Sequence, residues 1–159
     1  MENITFAKAS PFSSVPPWLF PEAKIDMSIV ERKKEWQINE VGIKTSMYLN
    51  EKYYNYLQMY TDGSKNKEEC VGVGIYIPDF KISISKRASD QLSVYTAEML
   101  AVIIGLQWVE EVRPERVVMC TESLSILQSI QSTTIAREDI LIELNHSLLR
   151  LHRGGIDLP

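Results

Sequence analysis

The spacing of apolar and polar positions changes several times along the chain. Residues 56–61 (YLQMYT) read as a strand, and residues 62–67 (DGSKNK) carry turn chemistry. Residues 71–77 (VGVGIYI) form a second apolar run; its two glycines predict a close backbone approach or a bulge. Pro78-Asp79 predicts a tight turn. Residues 81–86 (KISISK) then alternate polar and apolar, the period-2 mark of a half-exposed strand. Three strands on short connections predict an antiparallel meander. The period then lengthens. Ser93 is placed to cap a helix over residues 94–110, which lack proline and carry one glycine, Gly105. Apolar positions cover more than one face, so this helix is expected to be buried on two sides. Arg113-Pro114 ends it, and residues 116–121 (RVVMCT) read as a fourth strand. A strand reached through a helical crossover normally lies parallel to an earlier strand of its sheet. A short helix is expected over 123–130. A longer one is expected over 137–151, with an apolar stripe at Ile140, Leu141, Leu144, Leu148 and Leu151, stopped by Gly154-Gly155. Residues 156–158 read as the start of a further strand.

The first third of the chain has a different texture. Four of the seven prolines fall in SPFSSVPPWLFP, residues 10–21. Proline fixes φ and removes a donor, so this stretch is neither helix nor central strand. Residues 1–52 are therefore read as a proline-rich arm. Trp18 and Phe20 are available for docking, and the pattern leaves the structure of the polar segment 25–49 open. Residues 53–159 are read as an α/β domain: a mixed sheet of a three-stranded meander plus a parallel fourth strand, with flanking helices. The fourth strand is expected at an exposed edge. An apolar edge is a pairing hazard, so self-association through it is expected.

Composition narrows the class. At 159 residues and 18.2 kDa the chain holds one domain with an appendage. Hydrophobic and charged fractions of 45% and 24% exclude collagen-like, coiled-coil and wholly disordered chains. The longest apolar stretch, residues 99–106, is too short to span a bilayer. No secretory-signal pattern opens the chain. An intracellular protein (cytoplasm or nucleus) with no membrane partner is expected. Cys70 and Cys120 sit in apolar runs and read as buried thiols in a reducing compartment. His146 and His152, six apart, have no metal-ligand spacing partner. The net charge is −4, and residues 1–52 are balanced, so the whole deficit lies in 53–159. An acidic chain is a poor polyanion binder on net charge alone.

The placement of three acids changes that picture. Asp62 follows the first strand and Glu122 follows the fourth. If those strands are parallel neighbours, both carboxylates emerge at one end of the sheet, where open α/β sheets bind ligands. Glu98 is the only acid between Leu92 and Val109. Burying it unpaired costs several kcal/mol, so it needs a cation or a donor. A divalent cation held by Asp62, Glu98 and Glu122 would remove that cost. Carboxylate oxygens without His or Cys suit Mg²⁺ or Mn²⁺. Such a site points to phosphodiester chemistry. Each acid also has a plain reading: a turn residue, a helix first-turn acid, or an ion-pair partner.

With these residues in view, the chain resembles the type 1 ribonuclease H family. Residues 60–64 (YTDGS), 96–101 (TAEMLA) and 118–123 (VMCTES) are similar to its three leading motifs, in order. Together with the SPFSSVPPWLFP lead, the texture is similar to ribonuclease H domains of animal non-LTR retrotransposon polyproteins. The resemblance implies hydrolysis of the RNA strand of RNA–DNA hybrids with two Mg²⁺ (or Mn²⁺) ions. It implies catalytic and metal-ligand roles for Asp62, Glu98 and Glu122, and backbone contacts to the hybrid at Gly63 and Ser64. The chain departs from the family in carrying Glu122 where an Asp is usual. Relative to the family, the fifth strand and the last helix with its fourth acid are expected to be missing. Two other readings stand beside this one: a retroelement remnant that folds or binds hybrid without turnover, and an interaction module built on the proline-rich arm.

Overall fold

The structure, a computed structural model, describes residues 24–131. The proline-rich lead, the helix expected over 137–151, the strand expected at 156–158 and both histidines lie outside them. The polar segment before residue 53 is helical: α1 spans Ser28–Lys33 and α2 spans Val41–Lys52. Then come β1 (Leu57–Lys65), β2 (Val71–Ile77), a 3-10 turn (Pro78–Phe80) and β3 (Ile82–Arg87). α3 (Val94–Val112), β4 (Val117–Thr121) and α4 (Leu124–Gln131) complete the order. The fold class is α/β, with one mixed sheet ordered β3-β2-β1-β4. β1, β2 and β3 form the antiparallel meander, and β4 runs parallel to β1. Among the described residues β4 pairs only with β1 and so forms a sheet edge.

β1 corrects one expectation. It does not end at Thr61 but continues through Asp62-Gly63-Ser64 to Lys65, which pairs with Val71. The reversal comes later, at residues 66–70. There the Asn66 side chain accepts from the Glu68 and Cys70 backbone N–H groups (3.0 and 2.8 Å), and Glu69 takes the left-handed region at φ 62. Turn-forming residue types lost to cross-strand pairing: six consecutive β1 residues are paired with β2.

α3 forms where expected. The Ser93 side chain accepts from the Thr96 N–H at 3.1 Å, satisfying one orphan donor of the first turn. Arg113, at φ 53, closes the C-terminus. The helix packs on one face of the sheet. Met59, Ile75, Ile77, Met99, Ile103, Leu106, Val109, Val117 and Ile126 make the main core there. Each such side chain contributes roughly 1.5–3 kcal/mol by leaving water. Gly105 lets the helix come close: a Cβ there would meet Met59 Sδ at 2.9 Å and Met119 Cε at 3.0 Å.

The other face of the sheet is covered only in part. Leu49 of α2, Tyr53 and Val118 form a small buried cluster, with Tyr48, Tyr56, Tyr60 and Cys120 packed around it. One packed cluster thus spans residues on both sides of position 52. α1 and α2 are fastened by a single carboxylate. Asp26 accepts from the Ser28 N–H and hydroxyl (3.1 and 2.5 Å), Tyr48 OH (3.0 Å), Lys52 Nζ (2.8 Å) and Tyr53 OH (2.8 Å). Partial burial alone would raise its pKa. The bonds from Lys52, Ser28 and Tyr53 outweigh that and hold it well below the usual carboxylate range. Among the described residues no helix is long and apolar enough to cross a membrane.

Candidate active site

β1 alternates about the sheet. Met59, Thr61 and Gly63 are buried on the α3 side, while Tyr60, Asp62 and Ser64 belong to the other face. Asp62 is exposed there. Register places its neighbours. Asp62 lies directly opposite Gly74, and Gly74 opposite Ser85; Ser64 lies opposite Gly72, and Gly72 opposite Arg87. On the other side the β1–β4 pairing runs as far as Thr61↔Thr121. Glu122, the next residue, is exposed and follows at the level of Asp62. The Thr121 side chain accepts from the Ser123 N–H at 3.2 Å, turning the chain from β4 into α4 just past that carboxylate.

The third acid is brought in by a glycine. Gly63 is buried, and a Cβ on it would lie 2.2 Å from the Glu98 backbone nitrogen and 2.4 Å from the Ala97 carbonyl carbon. No side chain fits between β1 and the first turns of α3. The α3 backbone at Ala97-Glu98 therefore rests directly on the strand beside Asp62. That contact explains glycine at position 63; what it admits is the helix. Ser64 stays exposed on the Asp62 face. Glu98 is half-buried.

The β2 glycines correct a second expectation. A Cβ at Gly72 would meet nothing nearer than 3.7 Å, and at Gly74 nothing nearer than 3.9 Å. The pairing of β2 with both neighbours runs without a bulge. Both glycines belong to the face away from α3, where the described helices leave the sheet open. Their effect is a flat floor beside Asp62 and Ser64, bordered by Tyr76, which is 49% exposed and whose ring centroid lies 6.4 Å from that of Tyr60. The sequence pattern marks these glycines but not which face they share; only the register shows it.

The side chains of Asp62, Glu98 and Glu122 make no hydrogen bond or ion pair among the described residues, whereas Asp26, Glu40, Glu69 and Asp90 are all paired to cations. In this conformation no three His, Cys, Asp or Glu side chains among the described residues converge closely enough to hold a metal ion. The chemistry of the donors does fit Mg²⁺. They are hard oxygens with free valence, and Mg²⁺ is usually held by one or two carboxylates with substrate phosphates and waters filling the rest.

The two cysteines are free and half-buried, less enclosed than their apolar runs predict. Burial pushes the Cys120 thiol up to about 11, with Lys33 drawing it slightly the other way. Cys70 Sγ lies 3.3 Å from Arg87 Nη2, which also pairs with Asp90 at 2.9 Å. No protein-family model matches the sequence of this chain, and no curated protein matches it.

Proposed function

We propose that the chain is a ribonuclease H-like domain that hydrolyses the RNA strand of RNA–DNA hybrids with Mg²⁺ or Mn²⁺. The observation that carries this reading is that the backbone segments bearing three uncommitted carboxylates meet at one junction. Asp62 lies within β1, Glu122 follows the adjacent, parallel β4, and the backbone of Glu98 lies against Gly63. Bound there, divalent cations would supply charge to a phosphodiester and lower the pKa of an attacking water. Asp62 with Glu98, and Asp62 with Glu122, are the pairs that would hold them. The chain's own groups would do the rest. The glycine floor at Gly72 and Gly74 lets a nucleic-acid backbone approach without a side chain in the way. Exposed Ser64 offers a hydroxyl beside Asp62, and recognition would follow backbone shape and 2′-OH groups, not base sequence.

Binding without turnover is the second reading. It is favoured by the lack of three converging ligands among the described residues and by Glu122, whose extra methylene displaces the carboxylate by roughly 1 Å relative to Asp, enough to cost about 10²-fold in rate. A panel of end-labelled duplexes decides between them. The nuclease reading expects Mg²⁺-dependent cuts in the RNA strand of the hybrid alone. Retention of the hybrid with every strand intact would favour the second reading.

A further inference from the structure

The face of the sheet that carries Asp62 has a basic shoulder. Arg32, Lys33 and Lys34 are consecutive at the C-terminal end of α1, and none has an ion-pair partner among the described residues. Lys44 and Lys52, by contrast, are held by Glu40 and Asp26, each at 2.8 Å. The position of the shoulder is fixed by a chain of contacts that starts at the sheet. Leu49 and Tyr53 bury against Val118 of β4, and Tyr48 packs on the same cluster. The Tyr48 hydroxyl is tied to Asp26 and Ser28 at the start of α1. The Arg32 guanidinium carbon then lies 5.0 Å from the centre of the Tyr48 ring. Cys120 pairs with Tyr60, and both stand two residues before a carboxylate of the site, Glu122 and Asp62.

We propose that Arg32, Lys33 and Lys34 form a phosphate-binding shoulder that grips the nucleic-acid backbone as it leaves the carboxylate site. The acids of the site repel a polyanion in the absence of cations. Arg32, Lys33 and Lys34 form no ion pair among the described residues, although Glu31 and Glu35 flank them in sequence, and this local excess of positive charge offsets the repulsion where the net charge of the chain does not. The Asp26 clasp makes the grip prearranged, which lowers the ordering cost of each phosphate contact. This inference rests on the nuclease reading for the identity of its ligand, an RNA–DNA hybrid.

The test is the salt dependence of binding, measured by fluorescence anisotropy on the full chain with a labelled hybrid and EDTA present, so that no strand is cut. The triple variant Arg32→Ala/Lys33→Ala/Lys34→Ala is expected to bind roughly tenfold or more weakly at low salt. Its plot of log K against log salt should be shallower by up to about 2.7, which is 0.9 for each of three phosphates no longer neutralised. Arg replacements at Lys33 and Lys34 should restore both quantities, which removes misfolding as an explanation. Lys81→Gln, at the end of the sheet away from the carboxylates, should change neither. An unchanged affinity and slope in the triple variant overturns the shoulder while leaving the nuclease reading intact. Binding that depends on the triad in a chain that never cuts overturns the nuclease reading alone. A wild-type chain that does not bind hybrid overturns the shoulder.

Discussion

Gly63→Ala is the most demanding test of how the site is built. The added Cβ would lie 2.2 Å from Glu98 N, 2.4 Å from Ala97 C and 2.6 Å from Glu98 Cα. All three are backbone atoms, so no rotamer change relieves the overlap. An ordinary separation of about 3.5 Å requires strand and helix to part by more than 1 Å, in an interior packed as densely as an organic crystal. Overpacking of this kind costs 1–3 kcal/mol, occasionally more, and a backbone obstacle belongs at the top of that range. We expect about 3 kcal/mol. At a urea m-value of about 1–3 kcal/mol/M, the unfolding midpoint falls by roughly 1–3 M. Trp108, packed against the main core, is a suitable fluorescence reporter. Gly74→Ala is the matched control. It sits across from Asp62 with at least 3.9 Å of clearance, so it should be neutral or stabilising by up to about 1 kcal/mol. Equal stability of the two variants would refute the direct seating of α3 on β1, and with it the route by which Glu98 reaches the site.

Gly105→Ala meets the flexible ends of Met59 and Met119, so its cost should stay near 1 kcal/mol in the same urea titration, well below that of Gly63→Ala. Asp26→Asn weakens the clasp between α1 and α2 and should cost about 1–2 kcal/mol at neutral pH. The folded-state pKa of Asp26 lies below its unfolded value of 3.8, so its contribution is present above pH 4 and is lost as pH falls further. Stability curves of wild type and Asp26→Asn should therefore converge in acid; a constant gap down to pH 2 would count against the clasp. Cys120, with its thiol raised to about 11, holds roughly a thousandth of its population as thiolate at pH 8. In a Cys70→Ser background it should alkylate far more slowly than a free thiol peptide.

Much of this architecture is legible in the pattern of the chain. The meander, the Ser93 cap, the Arg113-Pro114 stop and the parallel direction of β4 follow from period, caps and the crossover rule; that its neighbour is β1 comes from the register. The end of β1 is not legible, because Asp62-Gly63-Ser64 has the residue types of a turn while its conformation is set by pairing with Gly72, Val73 and Gly74. The same register reverses the reading of the glycines. Gly63, expected against substrate, is filled by a helix. Gly72 and Gly74, expected against backbone or at a bulge, line an open face. α1 and α2 escape detection because their stability comes from one shared carboxylate and a small cluster on β4, with Leu49 the only buried residue between them. The three acids themselves stand out, since an unpaired Glu98 in an apolar run asks for a partner wherever the chain folds.

The most direct measurement is cleavage of an RNA–DNA hybrid, labelled on the RNA strand, by the full chain in Mg²⁺ and in Mn²⁺. It is compared with Asp62→Asn and Glu98→Gln, two changes that keep shape and remove one charge each. The nuclease reading predicts metal-dependent cuts in the RNA strand, reduced at least ~10²-fold by either substitution. Undiminished cutting by Glu98→Gln, or cutting that persists in EDTA, would contradict it.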